Sequence, residues 1–347
     1  QAEDGIRDYK VTGVQTCALP ICPPIWMMRQ AGRYLPEYRA LRKRFGFIEM
    51  MKTPDLATEI TLQPIDRFGF DAAILFSDIL VTAELLGSEL SFQEKVGPVI
   101  SNPIRSRTHV KSIKPKDIQS SAGFVFDAIK QLTPECEARK VPLIGFCGAP
   151  FTVASYMIEG GSSSDLKETK QLMSFDPLAM HSLLDKLTDV TLTYLKAQIL
   201  SGVRAVQIFD TWVSHLSSFD FEEFSLPYIK KIIEGLSDNP VPIALYTRHT
   251  SSFVDAICHG TNINVLSIDW QSHIKHIRNK VPKHIALQGN LDPLCLLGRK
   301  EDVIKNAKKI LHLMKDEPGF IFNLGHGITP PTPLENVYAL VETVKGW

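Results

Sequence analysis

Eight short apolar segments alternate with eight longer segments of helical periodicity, and this alternation limits the possible fold more than any other feature. The short segments are rich in β-branched and aromatic residues and are predicted to be strands, at 24–28, 72–77, 141–147, 205–210, 242–247, 265–270, 284–289 and 319–325. The longer segments are predicted to be helices, at 47–68, 120–138, 177–201, 221–236, 251–259, 272–280, 300–315 and 333–345. This rhythm predicts an α/β fold, a single (β/α)8 TIM-type barrel, rather than an open doubly wound sheet.

One connection, between Asp78 and Val141, is too long for a simple strand-to-helix loop. Within it, 84–92 and 97–100 have a strand, turn and strand pattern, so we predict a hairpin inserted after the second strand. The stretch 160–165 is rich in glycine and serine, and we predict a mobile loop near the barrel mouth rather than a domain linker. Residues 23–347 are therefore predicted to form one catalytic domain.

The first 22 residues differ from the rest of the chain. They have no amphipathic period and no signal-peptide core, and the run 3–21 resembles the translation of a sequencing-library adapter. We therefore predict that residues 1–22 are a non-native or disordered leader that contributes nothing to the barrel.

Composition excludes several classes of protein. Hydrophobic residues make up 44% and charged residues 22%, and no apolar run is long enough to span a bilayer, so a membrane protein is not expected. Lys and Arg (38) balance Asp and Glu (38), which leaves no basic field to attract nucleic acid. The six cysteines lack the spacing of a metal site and predict reduced thiols of a cytoplasmic protein without a bound metal.

Polar residues follow the predicted strands where each would leave the barrel. Barrel enzymes carry their reacting groups at this carboxyl-terminal face, so one shared site is predicted. Arg29 and Arg33 follow the first strand four residues apart, and a helical turn would place both guanidinium groups on one face, where they could grip carboxylates in a forked geometry. The other residues at strand ends are Asp78, Asp210, Thr211, Arg248, His249, Asp269, Trp270, Gln288, Asn290 and His326.

Several of these segments carry motifs of a known family. They are the arginine-containing stretch 24–39, the Phe-Ser-Asp-Ile-Leu run at 76–80, the glycine-rich run 145–152 that continues to Tyr156, and the runs 209–212, 287–293 and 323–327. Together they resemble the uroporphyrinogen decarboxylase family from about residue 23 to the carboxyl terminus. Val213, Ser214 and His215 depart from the small residue or glycine that is more common in the family, so the shape of that loop is open.

The resemblance implies roles for individual residues. Asp78 would point to the centre of the substrate ring and accept hydrogen bonds from pyrrole N–H groups. Arg29 would be its catalytic partner, acting as an electrostatic partner more readily than as an acid, because the pKa of a guanidinium is above ~12. The substrate-binding residues would be Arg29, Gln30, Arg33, Asp78, Tyr156, Thr211 and His326, with Arg248 as a further cation, and His326 could titrate near neutrality.

The family resemblance also implies the reaction. Loss of CO2 from an acetate arm leaves a carbanion, and a pyrrole protonated at carbon can accept its electrons, so no cofactor is expected. The implied substrate is uroporphyrinogen, a tetrapyrrole with eight carboxylates, and the implied assembly is a homodimer. A corrinoid-dependent barrel methyltransferase is one alternative, although its zinc-binding His-x-Cys pair occurs nowhere in the chain. A non-catalytic barrel that binds tetrapyrrole is the other.

Overall fold

The computed structural model describes residues 22–93, 96–238, 241–317 and 319–347. Seven parallel strands form one sheet in the order β1, β4, β5, β6, β7, β8, β9, and β2 and β3 form a separate antiparallel pair. The strands are β1 Ala73–Ile74, β2 Leu90–Gln93, β3 Gly97–Ile100, β4 Leu143–Gly148, β5 Ala205–Asp210, β6 Ile243–Thr247, β7 Val265–Ser267, β8 Ala286–Leu291 and β9 Phe320–Leu324.

The segment around Ile25 connects the two edges of this sheet. Ile25 pairs in parallel with Phe322 of β9, and the Phe322 N–H donates to the Pro24 carbonyl at 2.8 Å. On its other side, the Ile25 carbonyl accepts the Asp71 N–H at 2.9 Å, just before β1. The barrel is therefore confirmed, but the predicted strand 24–28 is wrong as a regular strand, because its pairing is limited to a single bridge.

Fifteen helices lie within the described residues. They are α1 Pro36–Arg42, α2 Phe47–Lys52, α3 Pro54–Phe68, α4 Val81–Leu85, α5 Arg107–Ser112, α6 Ile118–Ala138, α7 Pro150–Glu159, α8 Lys167–Phe175, α9 Pro177–Ser201, α10 Ser218–Phe224, α11 Leu226–Gly235, α12 Thr250–Gly260, α13 Ile274–Lys280, α14 Lys300–Met314 and α15 Leu334–Lys345. Short 3-10 turns occupy Trp212–His215 and Pro293–Leu297.

Two predicted helices are each divided in the structure. The segment 47–68 breaks at Thr53, because Pro54 has no N–H to continue α2 and instead starts α3. The segment 221–236 is part of α10 and α11, which meet at Ser225, and Pro227 lies in the first turn of α11. Proline therefore starts a new helix where the apolar period alone suggests one continuous helix.

The long connection after β1 contains a pair of strands, β2 and β3, but Glu84 and Leu85 of the predicted pattern lie in α4. Leu90 of β2 pairs with Ile100 of β3, and Val99 forms a further bridge to Gly161. The loop 160–165 is thus attached to this pair. Asp165 is not the N-cap of α8, which is Leu166, but its Oδ1 accepts the Lys167 N–H at 3.3 Å.

A buried polar network fills part of the barrel interior. The Trp26 indole N–H donates to Gln288 Oε1 at 2.9 Å, and Gln288 Nε2 donates to Gln207 Oε1 at 3.0 Å and to Ser267 Oγ at 2.9 Å. These four side chains are at most 3% exposed. Since buried polar groups are costly when unpaired, this network ties the Ile25 segment to β5, β7 and β8.

Within the described part of the chain, the helices are too short or too polar for any of them to span a bilayer. The prediction for residues 1–22 falls almost wholly outside the described residues, which begin at Cys22.

Candidate active site

Arg29 is positioned by close contact with the loop after β9. Its backbone adopts a left-handed conformation with a φ of 61°, and the preceding Met28 carbonyl accepts the Ile328 N–H at 3.0 Å. A Cβ added to Gly327 would lie 2.4 Å from Arg29 Cδ, so the stem of the arginine rests directly on this glycine. The residue is exposed, so its guanidinium group reaches the solvent at the barrel mouth.

Asp78 lies at the same mouth, in the turn between β1 and α4. Its Oδ1 accepts the Leu80 N–H at 2.8 Å, so the carboxylate also caps the turn that leads into α4. Burial raises the pKa of Asp78 to about 6, while the Leu80 hydrogen bond and the nearby charge of Arg29 oppose the rise. Arg29 and Asp78 are therefore close enough to interact electrostatically.

Tyr156 completes this part of the mouth from α7. It lies on α7, which begins at Pro150 directly after β4. Its ring packs edge-on against Trp212 with centroids 5.4 Å apart. Burial raises the pKa of Tyr156, and the charges of Asp78 and Arg29 also act on that pKa, in opposite directions. The phenol therefore belongs to the same cluster.

His326 is the next polar group of the mouth beyond Arg29. Its ring packs edge-on against Tyr246 and Trp270, at 6.1 and 6.0 Å between centroids. The Gly327 N–H donates to Nδ1, so the neutral ring carries its proton on Nε2. Burial, together with the charges of Arg29 and Arg248, lowers the pKa of His326 to about 4. The expectation that this histidine titrates near neutrality is wrong, because desolvation and two cations oppose its protonation.

Asp210 is buried behind the mouth and does not project from its rim. Its two oxygens accept the hydroxyls of Thr152 and Ser225, each at 2.6 Å, and burial raises its pKa to about 6. Thr152 Oγ1 in turn accepts the Trp212 N–H at 3.1 Å. Asp210 thereby fixes the backbone on either side of half-buried Thr211, the position predicted to donate to the ligand.

Arg248 follows β6, and its guanidinium carbon lies 5.3 Å above the Trp270 ring. The turn is held from below by Asp269, which is fully buried and whose Oδ2 accepts the His249 N–H at 3.0 Å. The sequence placed these residues at the rim but did not show that Trp270 packs against Arg248, or that Trp270 and Tyr246 both pack against His326. An aromatic residue at a strand end is the signal that could have indicated it.

Two predicted binding residues are not part of this cluster. Gln30 is fully buried, and its side chain bonds the backbone: Nε2 donates to the Ala72 carbonyl at 3.0 Å, and Oε1 accepts the Met27 N–H at 3.1 Å. These contacts hold the loop and give no support to substrate binding. Arg33 is exposed, and because α1 begins only at Pro36, it does not share a helical face with Arg29.

The sequence is similar to known proteins over most of its length. The family model described as uroporphyrinogen decarboxylase (URO-D) matches residues 17–347. The chain belongs to the uroporphyrinogen decarboxylase family. A uroporphyrinogen decarboxylase of Desulfotalea psychrophila is 45% identical over 321 residues, which are 92% of this chain and 93% of the relative. One from Carboxydothermus hydrogenoformans is 44% identical over 92% of this chain and 91% of the relative.

Solved structures support the fold of this uroporphyrinogen decarboxylase family member. A methyltransferase from Methanosarcina mazei superposes with a TM-score of 0.79 at 20% identity, covering 94% of each chain. A B12-independent methionine synthase from Shewanella sp. W3-18-1 gives 0.56 at 14% identity over 95% of this chain and 98% of that one. At these identities the likeness concerns the barrel alone.

The described residues contain no cluster of three or more His, Cys, Asp or Glu side chains suited to a metal ion. The polar groups that this family member brings together are instead one carboxylate, two guanidinium groups, a phenol and a neutral imidazole.

Proposed function

We propose that this chain removes the four acetate carboxyl groups of uroporphyrinogen III to give coproporphyrinogen III, without a prosthetic group. The observation that carries the proposal is that Asp78 lies near enough to Arg29 for its charge to act on the pKa of the carboxyl, at a mouth that also holds Tyr156 and His326, in a chain that belongs to this family. The activity is that of a carboxy-lyase in tetrapyrrole synthesis.

The chemistry needs an acceptor for the electrons of the breaking bond. When a pyrrole is protonated at ring carbon, the C–CO2 bond can break and its electron pair can flow into that ring. A proton then adds to the exocyclic carbon to give a methyl group, and the ring carbon releases its own proton, which restores the pyrrole. Asp78 has one oxygen on the Leu80 N–H, and we assign the other to the pyrrole N–H groups. An ionised Asp78 would then stabilise the positive ring electrostatically.

The cations and neutral donors would position the substrate. Arg29 is the electrostatic partner of the reacting carboxylate, and its contact with Gly327 fixes the position of its stem. His326, with its proton on Nε2, and Tyr156 would donate hydrogen bonds to carboxylate arms, and Thr211 would donate from the end of β5. Arg33, exposed beside this loop, would bind an outer arm, whereas Gln30 would act only by holding the loop.

The test is product analysis after anaerobic incubation with uroporphyrinogen III. The wild type should release CO2 and form coproporphyrinogen, and D78N should lower kcat roughly 100- to 1000-fold, since one electrostatic stabiliser is lost. The asparagine oxygen can still accept the Leu80 N–H, so D78N should not lower the melting temperature. D127N, which alters an exposed carboxylate paired with Lys130, is the matched control and should retain full activity. A wild type that binds the substrate but releases no CO2 would support the non-catalytic alternative.

The finer expectations on partners are also proposals. We propose a tetrapyrrole polycarboxylate as the only ligand, no nucleic acid or membrane partner, a cytoplasmic location and a homodimer. Balanced charge supports the absence of nucleic acid, and family membership supports the dimer. Sedimentation equilibrium that gives the monomer mass at micromolar concentration would rule out the dimer.

A further inference from the structure

Two guanidinium groups stand on opposite sides of the mouth. Around the barrel, the Ile25 segment is followed by β1, β4, β5, β6, β7, β8 and β9, so β6 is the strand opposite that segment. Arg29 follows the Ile25 segment, and Arg248 follows β6. A ligand that spans the mouth can therefore meet a cation at each end.

Neighbouring residues restrain the position of Arg248. Its guanidinium lies over the Trp270 ring. The backbone of Trp270 packs closely against the β9 loop, since a Cβ added to Gly325 would lie only 2.2 Å from the backbone nitrogen of Trp270. The next residue, His249, has a φ of 59°, and its N–H is held by Asp269. Because these contacts limit the freedom of the turn, little entropy is lost when Arg248 binds an anion.

Arg248 also lacks a carboxylate partner, whereas six other arginines of the described residues have one. The arginines with carboxylate partners on the described residues are Arg67, Arg105, Arg107, Arg139, Arg204 and Arg299. Neither Arg29 nor Arg248 forms such a pair there, and Arg248 Nε is buried without a hydrogen-bond partner. A buried donor without a partner is costly, and an incoming carboxylate would remove that cost.

Both cations act on the same neighbours. The charges of Arg29 and Arg248 each lower the pKa of His326, and each opposes the rise in the pKa of Tyr246 that burial causes. Arg29 also acts on Asp78, whereas the charges acting on Asp78 do not include Arg248. His326 and Tyr246 therefore lie near both guanidinium groups, whereas Asp78 lies near Arg29.

Resting on the proposed function, we propose that Arg248, supported by Trp270, binds a second carboxylate arm of the tetrapyrrole on the side of the mouth opposite Arg29. With one arm held at each side, the ring is oriented over Asp78. Arg248 is then a residue that determines which polycarboxylates bind, and it takes no part in breaking the C–CO2 bond.

The experiment compares R248Q, R248K and R299Q in the full chain. R248Q should raise KM for uroporphyrinogen III roughly 10- to 100-fold, as expected for a lost charged hydrogen bond, with kcat nearly unchanged. R248K keeps the charge but loses the forked geometry, so its KM should be intermediate. R299Q removes an equal charge from an exposed arginine that pairs with Asp302, and it should behave as wild type.

Two further measurements separate binding from folding. Calorimetric titration with uroporphyrinogen III on the D78N background should show the same loss of affinity for R248Q without turnover. Histidine NMR should show a higher pKa for His326 in R248Q, because one repelling cation is gone. A wild type that releases no CO2 contradicts the proposed function, whereas an active wild type with unchanged KM and affinity in R248Q overturns the role of Arg248.

Discussion

Burial acts on Asp78 and His326 in the same physical way but with opposite consequences for their pKa values. Low polarity disfavours the charged form, so the pKa of the carboxyl rises to about 6 and that of the imidazole falls to about 4. At neutral pH the mouth therefore contains an ionised Asp78 close to its titration point and an uncharged His326. His326 therefore adds no positive charge for a polycarboxylate, whereas Arg29 and Arg248 do.

We predict that His326 acts as a neutral donor. H326F keeps the aromatic packing but removes the N–H, and it should raise KM for uroporphyrinogen III roughly 10- to 100-fold, as for a hydrogen bond to a charged group. H326Q restores an N–H donor and should recover most of that loss. Steady-state kinetics and histidine NMR check the prediction, which would be contradicted by equal KM values for the two variants or by a titration of His326 above pH 6.

Asp210 should give folding a distinct pH dependence. Its pKa is raised from 3.8 to about 6 in the folded state, so between these values the folded protein holds a proton that the unfolded chain has lost. Stability from this group is therefore present below pH ~4 and is lost as the pH rises through ~6, amounting to ~3 kcal/mol at about 1.4 kcal/mol per pH unit.

D210N tests this dependence. The difference in the free energy of unfolding between wild type and D210N, measured by urea unfolding from pH 4 to 8, should change by ~3 kcal/mol in favour of the variant. D127N serves as the surface control and should keep the wild-type slope. Because Asp78 has a shift of the same sign, D78N should show a similar change, and a flat difference for D210N would exclude a buried, shifted carboxyl at this position.

At the scale of single elements, the loop after β9 leaves room for the Arg29 side chain because residue 327 is a glycine. Gly327 has no strained backbone angle, so alanine is permitted there, but its Cβ would displace the Arg29 stem. We predict that G327A keeps the wild-type melting temperature and lowers kcat/KM at least roughly 10-fold, because catalysis depends on the position of the guanidinium.

The matched control is G123A on α6. A Cβ there meets nothing within 4 Å, and alanine in a helix interior should stabilise the protein by about 0.5–1 kcal/mol without affecting turnover. Thermal unfolding and steady-state kinetics measure the melting temperature and kcat/KM of both variants. Full activity in G327A would mean that the position of Arg29 does not depend on this contact.

The elements also show what the sequence could and could not predict. Short apolar runs with β-branched and aromatic residues made β4, β5, β6 and β9 predictable. Arg29, Asp78 and His326 follow strand ends at the mouth as predicted, whereas Asp210 and Gln288, also predicted there, are buried. The segment at Ile25 was predicted as a strand because it is apolar, but its pairing depends on Asp71 and Phe322, which are distant in the chain. Long-range contacts of this kind leave no local pattern.

The site shows the same limit. Residue type and position indicated Asp78 and His326, but their protonation depends on burial and on Arg29 and Arg248, which only the folded chain brings near. The family resemblance implied that Gln30 binds substrate. In the fold its side-chain amide is hydrogen-bonded to the backbone of Ala72 and Met27, a role that no local pattern indicates, so substrate binding by Gln30 stays a prediction.

At the scale of the whole molecule, the segment that closes the barrel also carries a residue of the active site. The Ile25 segment carries Arg29, and it is joined to the β1 edge by Asp71, whose Oδ2 accepts the Ile25 N–H at 2.8 Å. Asp71 also pairs with Lys345 at the end of α15, at 3.2 Å. Weakening the contact between Asp71 and Ile25 should therefore lower both the free energy of unfolding and the catalytic activity.

We predict that D71A lowers the free energy of unfolding by about 1–3 kcal/mol, because it leaves the N–H of fully buried Ile25 without its acceptor. It should also lower kcat/KM, since the segment that positions Arg29 is no longer fixed at one edge. D71N retains an oxygen for the Ile25 N–H and should stay near wild type. K345M removes the exposed ion pair and the exposed hydrogen bond to the Gly69 carbonyl, and it should cost less than about 1 kcal/mol. Urea unfolding with hydrogen exchange at Ile25 and Phe322 provides the measurement. If D71A and D71N were equally stable and active, closure at this edge would not depend on Asp71, and the coupling between barrel closure and the active site would have to arise on the β9 side.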